Sequence, residues 1–140
     1  MIAKEFPIKE YHFSVLSFSI DSIFPENPED ELGTLVVDID FNLFESEDTE
    51  QHRIDILLNI YPEEKKPGYL IKMTSSGIFS IDEEYLDEDV NLDNCLIFTC
   101  LPMLIGNSRG FLMNVTSDGV FGKYTLPSIS LEELIKSKEQ

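Results

Sequence analysis

Basic residues are scarce in this chain: ten Lys and Arg stand against 27 Asp and Glu in 140 residues, a formal charge of −17 at pH 7. Affinity for nucleic acid comes mainly from Lys and Arg neutralising phosphates, and anionic lipid surfaces attract the same side chains. The balance argues against both partners and points instead to a basic partner, or a client with basic stretches. Cysteine is sparser still. Cys95 and Cys100 have the wrong spacing for a two-residue metal knuckle and no His beside them, so they read as buried thiols of a reducing compartment and no metal is expected. No apolar run approaches the roughly 20 residues that cross a bilayer; the longest mostly apolar stretch, residues 95–105, is interrupted by Thr99 and Pro102. The N-terminal stretch carries Lys4 and Lys9, and its apolar positions are broken by His12, Ser14, Ser17 and Ser19. No secretory signal and no membrane insertion are expected, and the location is read as cytoplasmic. Asn114-Val115-Thr116 then matches a glycosylation sequon by chance.

Constellations that carry catalysis are missing too. His12 and His52 have no Ser, Cys or Asp near them in a nucleophile arrangement. Asp82, Glu83, Glu84, Asp87, Glu88, Asp89 and Asp93 lack the alternating ligands and central Gly of a calcium loop, and read as a solvated acidic surface. Gly106, Gly110, Gly119 and Gly122 do not follow a strand and a Gly-rich turn, so they make no phosphate fingerprint. No catalytic residue, no cofactor and no enzymatic activity are expected.

What is present is enough apolar side chain to fold: 42% hydrophobic residues, including ten Phe and five Tyr, where acidic disordered chains have few aromatics. Leu35, Val37, Ile39, Phe41 and Leu43 alternate with Val36, Asp38, Asp40 and Asn42, and Ile54, Ile56, Leu58 and Ile60 repeat the pattern. Both segments read as strands with one wet face. The polar residues 45–50 between them are too few for a crossover helix, so the pair is an antiparallel hairpin. Residues 61–68, with two Pro and a Gly, turn into a further strand at 69–75. In the first strand Tyr11, Phe13 and Val15 share one parity and Leu16, Phe18 and Ile20 the other, a phase change that places a β-bulge near Val15–Leu16. Residues 24–33, acidic and with two Pro, are too long for a hairpin turn. The first two strands are therefore not simple neighbours, and this connection crosses part of the sheet.

Beyond residue 89 the period becomes three to four, in Leu92, Leu96, Thr99 and Met103, and predicts a helix to about Ser117 with Gly119 past its end. Pro102 either kinks that helix or marks its true start. Gly106 and Gly110 lie on one face; glycine costs helix stability, so the pair suggests close packing by another backbone, a helix of a second subunit or the sheet. Ser130 with Glu133 forms a capping box for a last helix whose apolar side is Leu131, Leu134 and Ile135. The expected fold is α+β: a four-stranded antiparallel sheet with two C-terminal helices packed on one face, in one domain over residues 1–140 (strands about 8–81, helices about 90–118 and 130–138). Phe24 flanked by prolines and acids, Phe44 on the parity opposite Phe41, and residues 77–81 exceed a tidy core. They either close the ends of the sheet or form an apolar groove rimmed by acids for unfolded segments.

Two stretches resemble SecB, the bacterial protein-export chaperone family. Gly77-Ile78-Phe79-Ser80-Ile81 looks like its strand-end motif. Cys95-Leu96, Cys100, Leu104, Arg109, Ser117-Asp118-Gly119-Val120-Phe121, Leu126 and Pro127 look like its long helix, connecting loop and start of its last helix. The similarity spans about residues 8–136. It implies an ATP-independent holdase, assembled as a homotetramer (a dimer of dimers) through the long helix, with Gly106 and Gly110 at the subunit interface. It further implies that unfolded preproteins lie in a groove along Phe24, Phe44, Leu131, Leu134 and Ile135, and that the SecA motor docks on the sheet face bearing Leu70 and Lys72. Lys72 stands where the family carries an acid, and the chain stops without the Cys/His tail that binds zinc in many members. Some SecB-like proteins instead guard the antitoxin of a toxin–antitoxin pair, the alternative these departures favour.

Overall fold

The computed structural model describes residues 7–44, 50–86 and 91–139; the hairpin connection 45–49, Lys4 and the expected helix start at Asp89 lie outside the described residues. Four strands, β1 (Ile8–Ile23), β2 (Leu35–Phe44), β3 (Gln51–Pro62) and β4 (Gly68–Ile81), form one antiparallel sheet in the order β1-β4-β3-β2. The first two strands sit at opposite edges, as the length of their connection implies. Residues 24–34 cross the end of the β3–β4 hairpin, pinned where the Gly33 N–H donates to the Pro67 carbonyl (2.8 Å) and the Glu63 N–H to the Thr34 carbonyl (2.9 Å). Gly33 is required there, since a Cβ would lie 2.7 Å from that of Lys66.

The bulge in β1 is where the parity change puts it. Val15 pairs with Ser75 and Ser17 with Thr74, leaving Leu16 unpaired and exposed. The slip returns Tyr11, Phe13, Val15, Phe18 and Ile20 to one face. That face continues through Ile71, Met73 and Phe79 of β4, Ile54, Ile56, Leu58 and Ile60 of β3, and Val37, Ile39 and Phe41 of β2. Both helices pack on this side.

The long helix runs continuously over Leu92–Val115. Asn91 caps it by accepting the Asn94 N–H at 2.8 Å. Pro102 does not begin the helix, which already runs from Leu92. Pro102 has no N–H to give and its ring crowds the carbonyl one turn back, so the ladder widens into a π-turn at Leu96–Cys100, with the Leu101 N–H reaching the Leu96 carbonyl. The helix buries Cys95, Cys100, Leu101, Leu104 and Leu112 against the sheet. In this dry interface the Ser108 hydroxyl donates to the Leu104 carbonyl and takes the Ser75 hydroxyl, both at 2.8 Å. Arg109 is the lone charge between Asp93 and Asp118, so the helix is long and apolar enough to span a bilayer, more than the run at 95–105 suggests. Its length and composition say no more than that, because one side of it is the core of the sheet.

The chain then turns back. Thr116 Oγ1 donates to the Leu112 carbonyl (2.6 Å) and accepts the Tyr124 N–H (2.8 Å). Arg109 donates from Nε to the Leu126 carbonyl (2.9 Å) and from Nη2 to the Pro127 carbonyl (3.0 Å). The C-terminal helix, Leu131–Lys138, begins at Ser130, whose Oγ accepts the Glu133 N–H at 3.3 Å.

Burial pushes both thiols up, Cys100 furthest, and lifts the Tyr11 phenol to about 12, with Cys100 beside it adding to the effect. These protons stay on the folded chain while the unfolded chain releases them, so their contribution is constant below the ordinary thiol value and lost as pH rises above it. The melting temperature should fall as pH is raised from about 9 towards 12. Cys100→Ala should delay the onset of that fall; identical pH–melting curves would contradict this account.

Candidate functional site

Among the described residues, apolar side chains remain uncovered in three places. On the open sheet face, Leu57, Tyr61, Leu70 and Ile78 stand partly in solvent among Ser, Thr and Asn. Lys72 lies in this face between Ser19 and Asn59, in a shallow hollow of about 490 Å³ that also touches Asp38, Asp40 and Leu57. At one end of the same face Asp55 is buried, and Arg53 holds it with two bonds (Nε–Oδ1 2.9 Å, Nη2–Oδ2 2.8 Å) while lying 4.5 Å over the Phe44 ring. Phe44, 43% exposed, is thus on the far side of the sheet from the helices.

The outer side of the long helix is the second place. Phe98 and Met103 are exposed there with Gly106 and Gly110, and a Cβ on either glycine would meet nothing within 4 Å. The sheet is therefore not the close neighbour of these glycines.

The third runs along β2. Phe24, 64% exposed in the crossing segment, leans towards Phe121 of the helix connection (centroids 6.1 Å apart). Beside them a crevice of about 100 Å³ is lined by Leu32, Leu35, Tyr69, Phe121 and Tyr124. Further along the strand a trough of about 310 Å³ separates Val37 and Ile39 from Ile129 and Leu134. The wall of the crevice is held by Tyr69, whose hydroxyl donates to the Gly122 carbonyl (2.6 Å) and accepts the Phe121 N–H (3.1 Å). Of the residues singled out from sequence, Phe24 stands exposed near Phe121, while Leu131 and Ile135 are half-buried on the C-terminal helix and line neither the crevice nor the trough. Leu134, 4% exposed, is part of the core, and Phe44 is not brought to them. Leu35, Val37, Ile39, Phe121 and Tyr124 were not anticipated. Their alternation marks a buried face, and only the strand order reveals that this face ends at an edge.

Among the described residues no group of three or more His, Cys, Asp or Glu is placed to hold a metal. His12 borders a hollow with Gln51 and Ile78 on the open face.

No family model matches the sequence, and no curated protein matches it. The solved structures do contain similar folds. One is the Mycobacterium tuberculosis Rv1957 SecB-like chaperone, in complex with a ChAD peptide from the Rv1956 HigA1 antitoxin. It aligns at TM-score 0.57 and 14% identity over 88% of this chain and 89% of that one. The chain has a SecB-like fold. A protein of unknown function from Streptococcus agalactiae aligns at TM-score 0.44 and 14% identity over 85% of this chain and 98% of its own.

Within this SecB-like fold the Tyr69 latch can be broken from the other side. A Cβ at Gly119 would collide with the Tyr69 hydroxyl. Gly119→Ala should cost about 1–3 kcal/mol by overpacking. Gly122→Ala meets no atom but sits at φ 81°, so it should cost less, about 1 kcal/mol of backbone strain. Chemical denaturation of both variants measures the difference.

Proposed function

We propose that this chain is a SecB-like holdase that binds unfolded segments without nucleotide or catalysis, in the cytoplasm, along the uncovered inner side of β2. The observation that carries the reading is the pairing of a SecB-like fold with a half-buried apolar strand, Leu35, Val37 and Ile39, flanked by exposed Phe24. Apolar burial contributes roughly 25 cal/mol per Å² and has no direction, so such a surface tolerates many sequences. Acids at Asp38, Asp40 and Glu133 beside it favour basic segments and speed their encounter at low salt.

For the client we favour an antitoxin, because the similar Rv1957 chaperone carries an antitoxin peptide. The second reading is delivery of preproteins to SecA. Exposed Leu70 and Leu57 beside Lys72 on the open face favour it by offering a docking surface away from the client. Assembly is proposed as a homotetramer, a dimer of dimers, through the outer side of the long helix. In a chain of charge −17, that side bears no acid between Asp93 and Asp118, so two copies can meet there without facing carboxylates.

Diluting a denatured client into stoichiometric tetramer should suppress aggregation equally with and without ATP. Phe24→Ser should weaken suppression several-fold, and Phe44→Ser, on the opposite face, should not. Absence of suppression by the wild type would remove the reading. Gly106 tests the assembly separately. With open space around it in one subunit, Gly106→Ala should not destabilise the monomer and should gain about 0.5–1 kcal/mol of helix stability. Gly106→Leu should shift the sedimenting species from tetramer to smaller forms.

A further inference from the structure

β2 ends the sheet order, and its backbone has one side to spare. The Thr34 carbonyl accepts the Glu63 N–H just before the strand begins. Even-numbered residues therefore turn their N–H and C=O groups towards β3, and odd-numbered residues turn theirs outwards. Side chains sort the same residues by face: Leu35, Val37, Ile39 and Phe41 on the helix side, Asp38, Asp40 and Asn42 on the open face. An unpaired, alternating edge of β-branched and aromatic residues is a template for a second copy of itself. Two such strands, antiparallel about Ile39, would set Val37 against Phe41 and Leu35 against Leu43, and the apolar faces of two sheets would become continuous.

The C-terminal helix stands in the way of that pairing. It packs on the helix side of the sheet. Lys138 in its last turn nevertheless donates to Asp40 Oδ1 (3.2 Å) and Asn42 Oδ1 (2.9 Å), whose side chains are on the open face. Its ammonium also lies 5.6 Å from the Phe41 ring, on the helix side. A side chain that reaches both faces of an edge strand passes around the outside of it. A further strand would run about 4.8 Å from β2, in the space this stem fills. The same Asp40 Oδ1 accepts the outward Phe41 N–H at 2.8 Å, which takes away a donor that a paired strand would use. Residues 35–39 keep three outward positions, Leu35, Val37 and Ile39, too short a ladder to join two copies by itself.

We propose that Lys138 is a strap that keeps β2 of one copy from pairing with β2 of another, an edge lock supplied by the last turn of the C-terminal helix. The lock concerns copies of this chain and is independent of the holdase reading. Both of its charged groups stand largely in solvent. An exposed ion pair of this kind shifts an equilibrium by up to about fivefold, but a symmetric pair of strands must open two straps, so losing both favours association by up to about 25-fold.

Sedimentation velocity of the full chain over a range of concentrations tests the lock. Lys138→Ala should assemble beyond the wild-type species, with association strengthened by up to about 25-fold. Lys138→Arg, whose longer cation still reaches both oxygens, should behave as wild type. Bulk charge predicts the opposite sign, because Lys138→Ala makes a chain of charge −17 more negative and more self-repelling. Hydrogen exchange locates the contact: in Lys138→Ala the outward amides of Val37, Ile39 and Phe41 should slow as concentration rises. Adding Leu43→Pro, at an exposed edge position whose N–H β3 does not use, should restore the wild-type size; if that double variant does not fold by circular dichroism, the exchange pattern decides alone. A Lys138→Ala chain that sediments as wild type at every concentration overturns the lock. So does growth of Lys138→Ala that leaves the outward β2 amides exchanging at an unchanged rate.

Discussion

One helix has to cover four strands, and the rest of the molecule follows from the shortfall. Four strands about 4.8 Å apart place the outer axes about 14 Å from each other, whereas a helix with its side chains is about 10 Å across. The long helix therefore seals the central strands, where Ile54, Ile60, Ile71 and Phe79 are completely buried. It leaves the inner residues of the edge strands half-covered, Val37 and Ile39 on one side and Phe13 and Phe18 on the other. The C-terminal helix reaches β2 but commits only Leu134 fully to the core. The gap stays a shallow, elongated apolar strip beside β2.

Holding that strip open without aggregation is a problem of charge and backbone as much as of packing. Exposed edge strands invite pairing between copies. Asp40 and Lys138 block half of the β2 edge, and Asp38 lines the open half with a carboxylate that another acidic copy meets as a like charge. The charge of −17 thus sets like charge against like wherever two copies meet at this edge. Its absence from the outer side of the long helix is the counterpart, leaving one surface where copies can approach.

Much of this was legible in the sequence because it depends on local rules. The parity change at Val15–Leu16 is a bulge in any sheet, and residues 24–33 were too long and too proline-rich for a hairpin, so strands one and two had to part. The opposite parities of Phe41 and Phe44 already placed them on opposite faces, which is why Phe44 stacks under Arg53 away from the helices. Illegible were features set by long-range placement. Pro102 announced a disturbance, but its absorption by a π-turn depended on how Cys95 and Cys100 seat against the sheet. Nothing in the pattern of Leu35, Val37 and Ile39 distinguishes a strand with two neighbours from one with a single neighbour. That distinction separates a core strand from an edge strand.

The crossing segment joins these points. Sending residues 24–34 over the β3–β4 turn makes β2 an edge, supplies Leu32 and Phe24 beside its first residues, and fixes the ladder parity through Thr34 and Glu63. A hairpin between the first two strands would have paired β2 on both sides and left no outward amide on it. The same connection therefore creates the free edge, aims its hydrogen-bonding groups outwards, and roofs one end of it with aromatic surface. Gly33, the one residue small enough to pass Lys66 at that crossing, is for this reason as much a part of the exposed β2 edge as any side chain that lines it.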